Sequence, residues 1–334
     1  MALSKSKDTS SSQNNDEQND SSHRRPILHH LNADSSWLLQ LPHPHSKPGQ
    51  RTFFNILIDP WLTGPQSDVA SWFSTQWHSE SPAYASIADV EELAWKTESI
   101  IDKSATRNSP IDVVAISHEF TDHCHRETLM QLPVTVPVLA PPKAAGVVSA
   151  WKHFDHVCEM LPFPQHSGEL ALPYWVRVSR VQDESDALYY HSAVVVAFKS
   201  RADGEDVEEF VMYTPHGVGV SAVEKMRETA PSLRPLCLIH GLHDVKLSVV
   251  QQLNLGGHHG LNVYRALKSD SCYWVGTHDE QKKGGGLVSW FLHRNMITLG
   301  DALRQEKLLR MKAEDEDIKV LYEEIGNGEQ KILV

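Results

Sequence analysis

Only 4 of the 334 residues are cysteine. Cys124, Cys158, Cys237 and Cys272 are too far apart for a Cys-x-x-Cys metal clip and too few to staple a chain of this length. That excludes a disulfide scaffold and suits a reducing compartment, so the cytoplasm is the expected location. Long apolar runs are also missing. Ile56-Leu57-Ile58 is far too short to span a bilayer, and the residues after Met1 are dominated by Ser, Asn, Asp and Gln rather than by an apolar signal core. Positive charge is scarce, with Lys+Arg 31 against Asp+Glu 43 and a formal net charge of -12. A partner held through its phosphate backbone is therefore not expected. Neither nucleic acid nor a membrane is an expected partner, which leaves a small-molecule substrate.

What the chain does have is histidine, 20 of them, the side chain that most often ligates metals and that titrates near neutrality. With 40% hydrophobic residues, the rest of the chain is of ordinary globular composition. Residues 1–25 are nearly all polar and predict a disordered tail, with one folded domain over 27–334. Ser36–Leu41, Phe53–Ile58, Ile111–Ile116, Val134–Leu139, Trp175–Val181, Ser192–Phe198 and Glu209–Thr214 predict strands. Val90–Ile101, Glu127–Leu132 and Pro142–Trp151 predict helices, the last with proline in its first turn. Asp203-Gly204 reads as a hairpin tip, and Trp61–Trp77 as loop with short turns. Strands dominate with helices between them, which is a mixed α and β pattern.

The most informative segment is Ala115-Ile116-Ser117-His118-Glu119-Phe120-Thr121-Asp122-His123, where a β-branched strand delivers two imidazoles and a carboxylate into one short loop. Strand ends hold ligands in fixed geometry, and such a set suits a catalytic zinc that keeps a position open for water. The segment resembles the H-x-H-x-D-H signature of the metallo-β-lactamase superfamily, with Phe120 in place of the middle His. Ile56–Asp59 resembles the family's early strand, which ends in an Asp that supports the metal loop. Val211–Gly217 is similar to the strand that carries the family's bridging Asp, with His216 in its place. Trp274–Glu280 resembles the strand that ends in the last ligand, here His278. Asp183 and His191 lie in the interval of the remaining ligand His, and neither matches it cleanly.

The resemblance implies an α+β fold, an αββα four-layer sandwich. It also implies a metal-dependent hydrolase in which a metal-activated water attacks a small-molecule ester, lactone, amide or phosphodiester. Carried onto this chain, the metal residues are His118, Asp122, His123, His216 and His278. Asp122 and His216 are the catalytic candidates and Asp59 stands behind the ligands. Asp122, His123 and His278 form the most complete set, so one ion is expected, most simply zinc, with iron or manganese as alternatives. His216 is a fourth ligand or a substrate contact.

Plainer readings stay beside these. Asp122 can cap a helix among surface histidines, His278 can be a buried ring bonded to backbone, Pro215-His216-Gly217 can be a turn, and Asp59 can simply end a strand. A non-catalytic scaffold that binds a small molecule or a protein is the competing function, because Phe120 and His216 replace ligands. Weaker signals are His240-x-x-His243 at helical spacing, His258-His259 in a glycine-flanked loop, and Lys282–Gly286 as a loop beside the site. Trp61, Trp72 and Trp77 are expected to be core aromatics.

Overall fold

A computed structural model describes residues 24–46, 49–68, 70–98, 109–165, 172–183, 186, 188–202, 205–247, 251–276, 282–310 and 319–334. β1 (Ile27–His30), β2 (Trp37–Pro42) and β3 (Phe53–Ile58) form an antiparallel meander, followed by β4 (Thr75–His78) and α1 (Ile87–Lys96). β5 (Val113–Ala115), α2 (Arg126–Leu129), β6 (Val138–Ala140), α3 (Pro142–Ala150) and β7 (Val157–Glu159) then lay three strands parallel to β3. β8 (Val176–Gln182), β9 (Ser192–Ala202) and β10 (Glu205–Thr214) open the second half as another meander. After them come α4 (Val220–Thr229), β11 (Arg234–His240), β12 (His243–Leu247), β13 (Gln251–Leu255), α5 (Gly256–Leu267) and β14 (Tyr273–Val275). The described chain closes with β15 (Lys282–Gly285), β16 (Leu292–Met296), α6 (Leu299–Arg310), β17 (Leu321–Glu323) and β18 (Gln330–Ile332).

Two large sheets result, ordered β18-β1-β2-β3-β5-β6-β7 and β17-β14-β11-β10-β9-β8. Smaller sheets, β13-β12-β16 and β15-β4, lie beside them. Side chains alternate across a strand, and central strands of the large sheets such as β3, β5 and β11 are buried along nearly their whole length, as strands covered on both sides must be. Ile56 and Ile58 of β3, Val194 and Val196 of β9, and Val211 and Tyr213 of β10 meet in one core between the sheets. Leu57 points the other way, under α1 and α3 with Val90, Leu93 and Val148. Val195, Phe210 and Met212 likewise pack under α4 and α5 with Val223, Leu261 and Val263. Three cores between four layers make an αββα sandwich. Local signals agree with it: Ser86 caps α1 through a capping box with Asp89, and Pro142 opens α3.

Several expectations change. The 61–77 loop ends in a strand, β4, because residues 75–78 pair with Lys282–Gly285, which makes that glycine-rich stretch a strand too. His240 and His243 do not share a helix, since one ends β11 and the other begins β12. His258 and His259 lie in the first turn of α5 rather than in a loop. Trp61 is fully buried, but Trp72 and Trp77 are exposed instead of joining the core. Residues 1–23 and the 203–204 hairpin tip lie outside the described residues. Arg25, at the end of the expected tail, donates to both carboxylate oxygens of Glu209 at 2.9 Å. Among the described residues, no helix is long and apolar enough to cross a membrane.

Candidate metal centre

The C-terminal ends of parallel strands from both sheets meet at one edge. There β3 runs into Asp59, β5 into Ser117 and His118, and β10 into His216; α/β sheets characteristically bind ligands at such an edge. Ile58 is in register with Ala115, and the Asp59 N–H donates to the Ala115 carbonyl at 3.1 Å. Asp59 takes a left-handed φ of 45° just before Pro60, a conformation that short polar residues tolerate better than most. This aims its fully buried carboxylate at the signature loop.

Asp59 is the hub of the site. Its Oδ1 accepts the Ser117 N–H at 2.7 Å. Its Oδ2 accepts the Ser117 hydroxyl at 2.5 Å, the Tyr213 hydroxyl at 2.8 Å and His123 Nδ1–H at 2.7 Å. Burial and the Asp59 charge push the Tyr213 phenol well above its ordinary pKa, which keeps its proton available to donate. A carboxylate can only accept, so His123 carries its proton on Nδ1 and turns the lone pair of Nε2 outward. The Ser117 hydroxyl spends its proton on Asp59 and therefore accepts from His118 Nδ1 at 2.8 Å. His216 Nδ1 donates to Asn254 Oδ1 at 2.7 Å. Three imidazoles are thus fixed through Nδ1 in one tautomer, which makes Nε2 the nitrogen that can ligate.

The candidate ligand atoms of His118, His123 and His216 lie within 4.8 Å of one another. His118 Nε2 and His216 Nε2 are 2.9 Å apart. Two lone pairs at that separation repel unless a proton or a cation lies between them. This donor set therefore fits a metal ion: oxygen acceptors on Nδ1 orient and fix the ligating rings, and three protein ligands suffice for an open site. Asp122 Oδ2 lies beside the cluster, 3.5 Å from His123 Nε2.

His123 and His216 of the cluster form part of the wall of a cavity of about 270 Å³. Phe73, Phe120, Leu253, Val288 and Leu292 give it an apolar lining, with Asp68 and Asp122 near the histidines and, among the described residues, Arg294 as its one Lys or Arg. Phe120 sits edge-on to His118, with ring centroids 4.8 Å apart, and contributes wall where the signature has a ligand. Asp68 is tied to the signature loop by the Thr121 N–H at 3.0 Å. Burial first, and then the Asp122 charge, raise its pKa to about 6.

The structure thus brings together His118, His123 and His216, with Asp122 alongside and Asp59 behind. Of the metal residues expected from the sequence, His118, His123 and His216 form the cluster found among the described residues. His278 lies outside the described residues. Asp183 and His191 are engaged elsewhere: Asp183 accepts from the Ser221 hydroxyl, and His191 is held by Asp186 and the Leu253 carbonyl. His243 lines the cavity and is not in the cluster. Ser117, Tyr213, Asn254 and Asp68 escaped the sequence reading because no motif marks them. Only Ser117, adjacent to a candidate ligand, gave a local signal.

No family model matches the sequence, and no curated protein does. Solved structures do match. A possible metal-dependent hydrolase from Veillonella parvula is similar over 93% of this chain and 100% of its own, at 14% identity and a TM-score of 0.53. The isothiocyanate hydrolase from Delia radicum gut bacteria matches over 91% of this chain and 98% of its own, at 14% identity and a TM-score of 0.50. The chain has the metallo-β-lactamase fold.

Proposed function

We propose that the chain is a metal-dependent hydrolase of small molecules, with one ion, most simply zinc, held by His118, His123 and His216. Iron or manganese would suit the same donors. The convergence of three Nε2 atoms, each on a ring whose Nδ1 is fixed by an oxygen, carries this reading. A metal there supplies Lewis-acid activation of water and polarisation of the scissile group. The protein's own part is positional. Asp59, Ser117 and Asn254 hold the tautomers, and the apolar wall of Phe120, Leu253 and Leu292 excludes bulk water and packs the body of the substrate. Asp122, at the cluster and on the cavity wall, takes the proton of the attacking water, and Asp68 next to it takes up or returns that proton near neutral pH. Arg294 pairs with any anionic group on the substrate.

Esters, lactones, amides and phosphodiesters all present a group of the required kind. The four cysteines, buried and joined by no disulfide, support the cytoplasm as the compartment. Elemental analysis of purified protein, combined with turnover of chromogenic esters, lactones and phosphodiesters, tests the proposal. About one equivalent of metal and chelator-sensitive turnover are expected, and a metal-free, inactive protein would refute it. Phe120 in a ligand's place favours the second reading, a binding scaffold, for which stoichiometric metal without turnover of any substrate would be the signature.

A further inference from the structure

The small sheet β13-β12-β16 supplies one wall of the cavity. Side chains alternate across a strand, so the pairing of β12 with β16 sorts their residues into two faces. Leu247 lies opposite Leu292, Val245 opposite Arg294 and His243 opposite Met296; between these rows, Lys246 lies opposite His293 and Asp244 opposite Asn295. His243, Val245, Leu247, Leu292 and Arg294 all line the cavity, so the first face is the inner one. The outer face is polar, as a solvated sheet face should be, and its Lys246 and Asp244 pair with each other at 3.5 Å. Arg294 breaks this division. It is a charged residue on the inner face, beside Val245 and Leu292, and among the described residues it makes no ion pair, with Asp68 and Asp122 of the same cavity included.

The register also sets how far this charge stands from the metal ligands. Val245 pairs on its other side with Asn254, so Asn254, Val245 and Arg294 form one rung across the sheet. Neighbouring strands lie about 4.8 Å apart, which puts the Arg294 backbone roughly 10 Å from that of Asn254, whose side chain fixes the His216 ring. The wall between them is apolar. A guanidinium at that position matches a planar carboxylate through two parallel hydrogen bonds. A doubly charged phosphate would meet this one cation against the carboxylates of Asp68 and Asp122. We infer that the substrate is itself a carboxylic acid, whose carboxylate pairs with Arg294 while a short apolar chain carries the scissile carbonyl to the histidine cluster. The scissile half of this statement rests on the proposed hydrolase activity; the carboxylate half does not.

Two measurements on the protein as purified test it, and both use Arg294, an exposed residue whose replacement spares the fold. Calorimetric titration with hexanoate, 1-hexanol and hexylammonium reads binding alone. Hexanoate should bind at least about tenfold more tightly than the other two, and Arg294→Gln should remove that preference; the variant keeps the histidine cluster, so the comparison cancels any contribution of a metal. Equal affinities in the wild type, or a preference that survives the substitution, would overturn the inference. For turnover, the 4-nitrophenyl monoester of glutaric acid should exceed 4-nitrophenyl pentanoate in kcat/KM by a similar factor. Arg294→Lys should keep part of that ratio, and Arg294→Glu should shift preference to 4-nitrophenyl 5-aminopentanoate. A wild type that turns over the neutral ester as well as the acidic one would count against the inference equally. If no ester is turned over while hexanoate binding still depends on Arg294, the hydrolase reading fails and the carboxylate site stands.

Discussion

Asp59 accepts from Ser117 twice, from His123 and from Tyr213, so its most informative replacement is the isosteric one. Asp59→Asn turns one acceptor oxygen into an NH₂ that faces protons already in place. We expect a loss of about 1–3 kcal/mol of stability and a drop of roughly 10–100-fold in metal affinity, read by chemical denaturation and by metal titration; wild-type affinity would remove Asp59 from its place behind the ligands. A second comparison separates cluster from cavity wall. His123→Ala should purify with at least about tenfold less metal than His243→Ala, each checked for folding by circular dichroism. Equal losses would move the centre toward His243.

At the level of elements, the turn after β10 decides where His216 sits. Gly217 has φ 102°, and a Cβ there would come within 2.6 Å of Leu255 Cδ1. Leu255 also donates its N–H to the His216 carbonyl and adjoins Asn254, which fixes the His216 ring. Gly217→Ala should therefore cost about 1–3 kcal/mol and lower bound metal together with the melting temperature; unchanged metal content would mean that the turn does not set the ligand. The same scale shows what could be read in advance. β2, β3, β5 and the second half of β10 are dense apolar or β-branched runs, and α3 opens with a proline, so composition marks them locally. β4 and β15 are polar or glycine-rich and exist because residues 75–78 meet 282–285 across the chain, which no local pattern encodes. His118 and His123 were legible because a single loop follows a recognisable strand. His216 was legible as a candidate from the strand before it, but its meeting with His118 and His123, and the partners Tyr213 and Asn254, depend on two sheets being docked. Spacing misled at His240 and His243, where a helical interval spans a bend between strands.

Over the whole molecule, buried histidines tie stability to pH. Burial holds His29, His43 and His259 below the ordinary value of 6.5, so these rings stay neutral in the fold at pH values where the unfolded chain takes up protons. The unfolded state then binds more protons, and stability falls as the pH drops through about 6.5 toward the folded-state values, while these groups contribute no slope above that range. Metal-free protein should accordingly show a lower denaturant midpoint at pH 5 than at pH 7.5, and a flat profile would contradict the burial of these rings. The division of the donor set between the two halves has a separate consequence. His118 and His123 hang from the first sheet and His216 from the second, so neither half holds the full set of three donors. Capture of an ion therefore waits until the halves have met, and folding followed by metal uptake would time that meeting rather than the birth of either sheet.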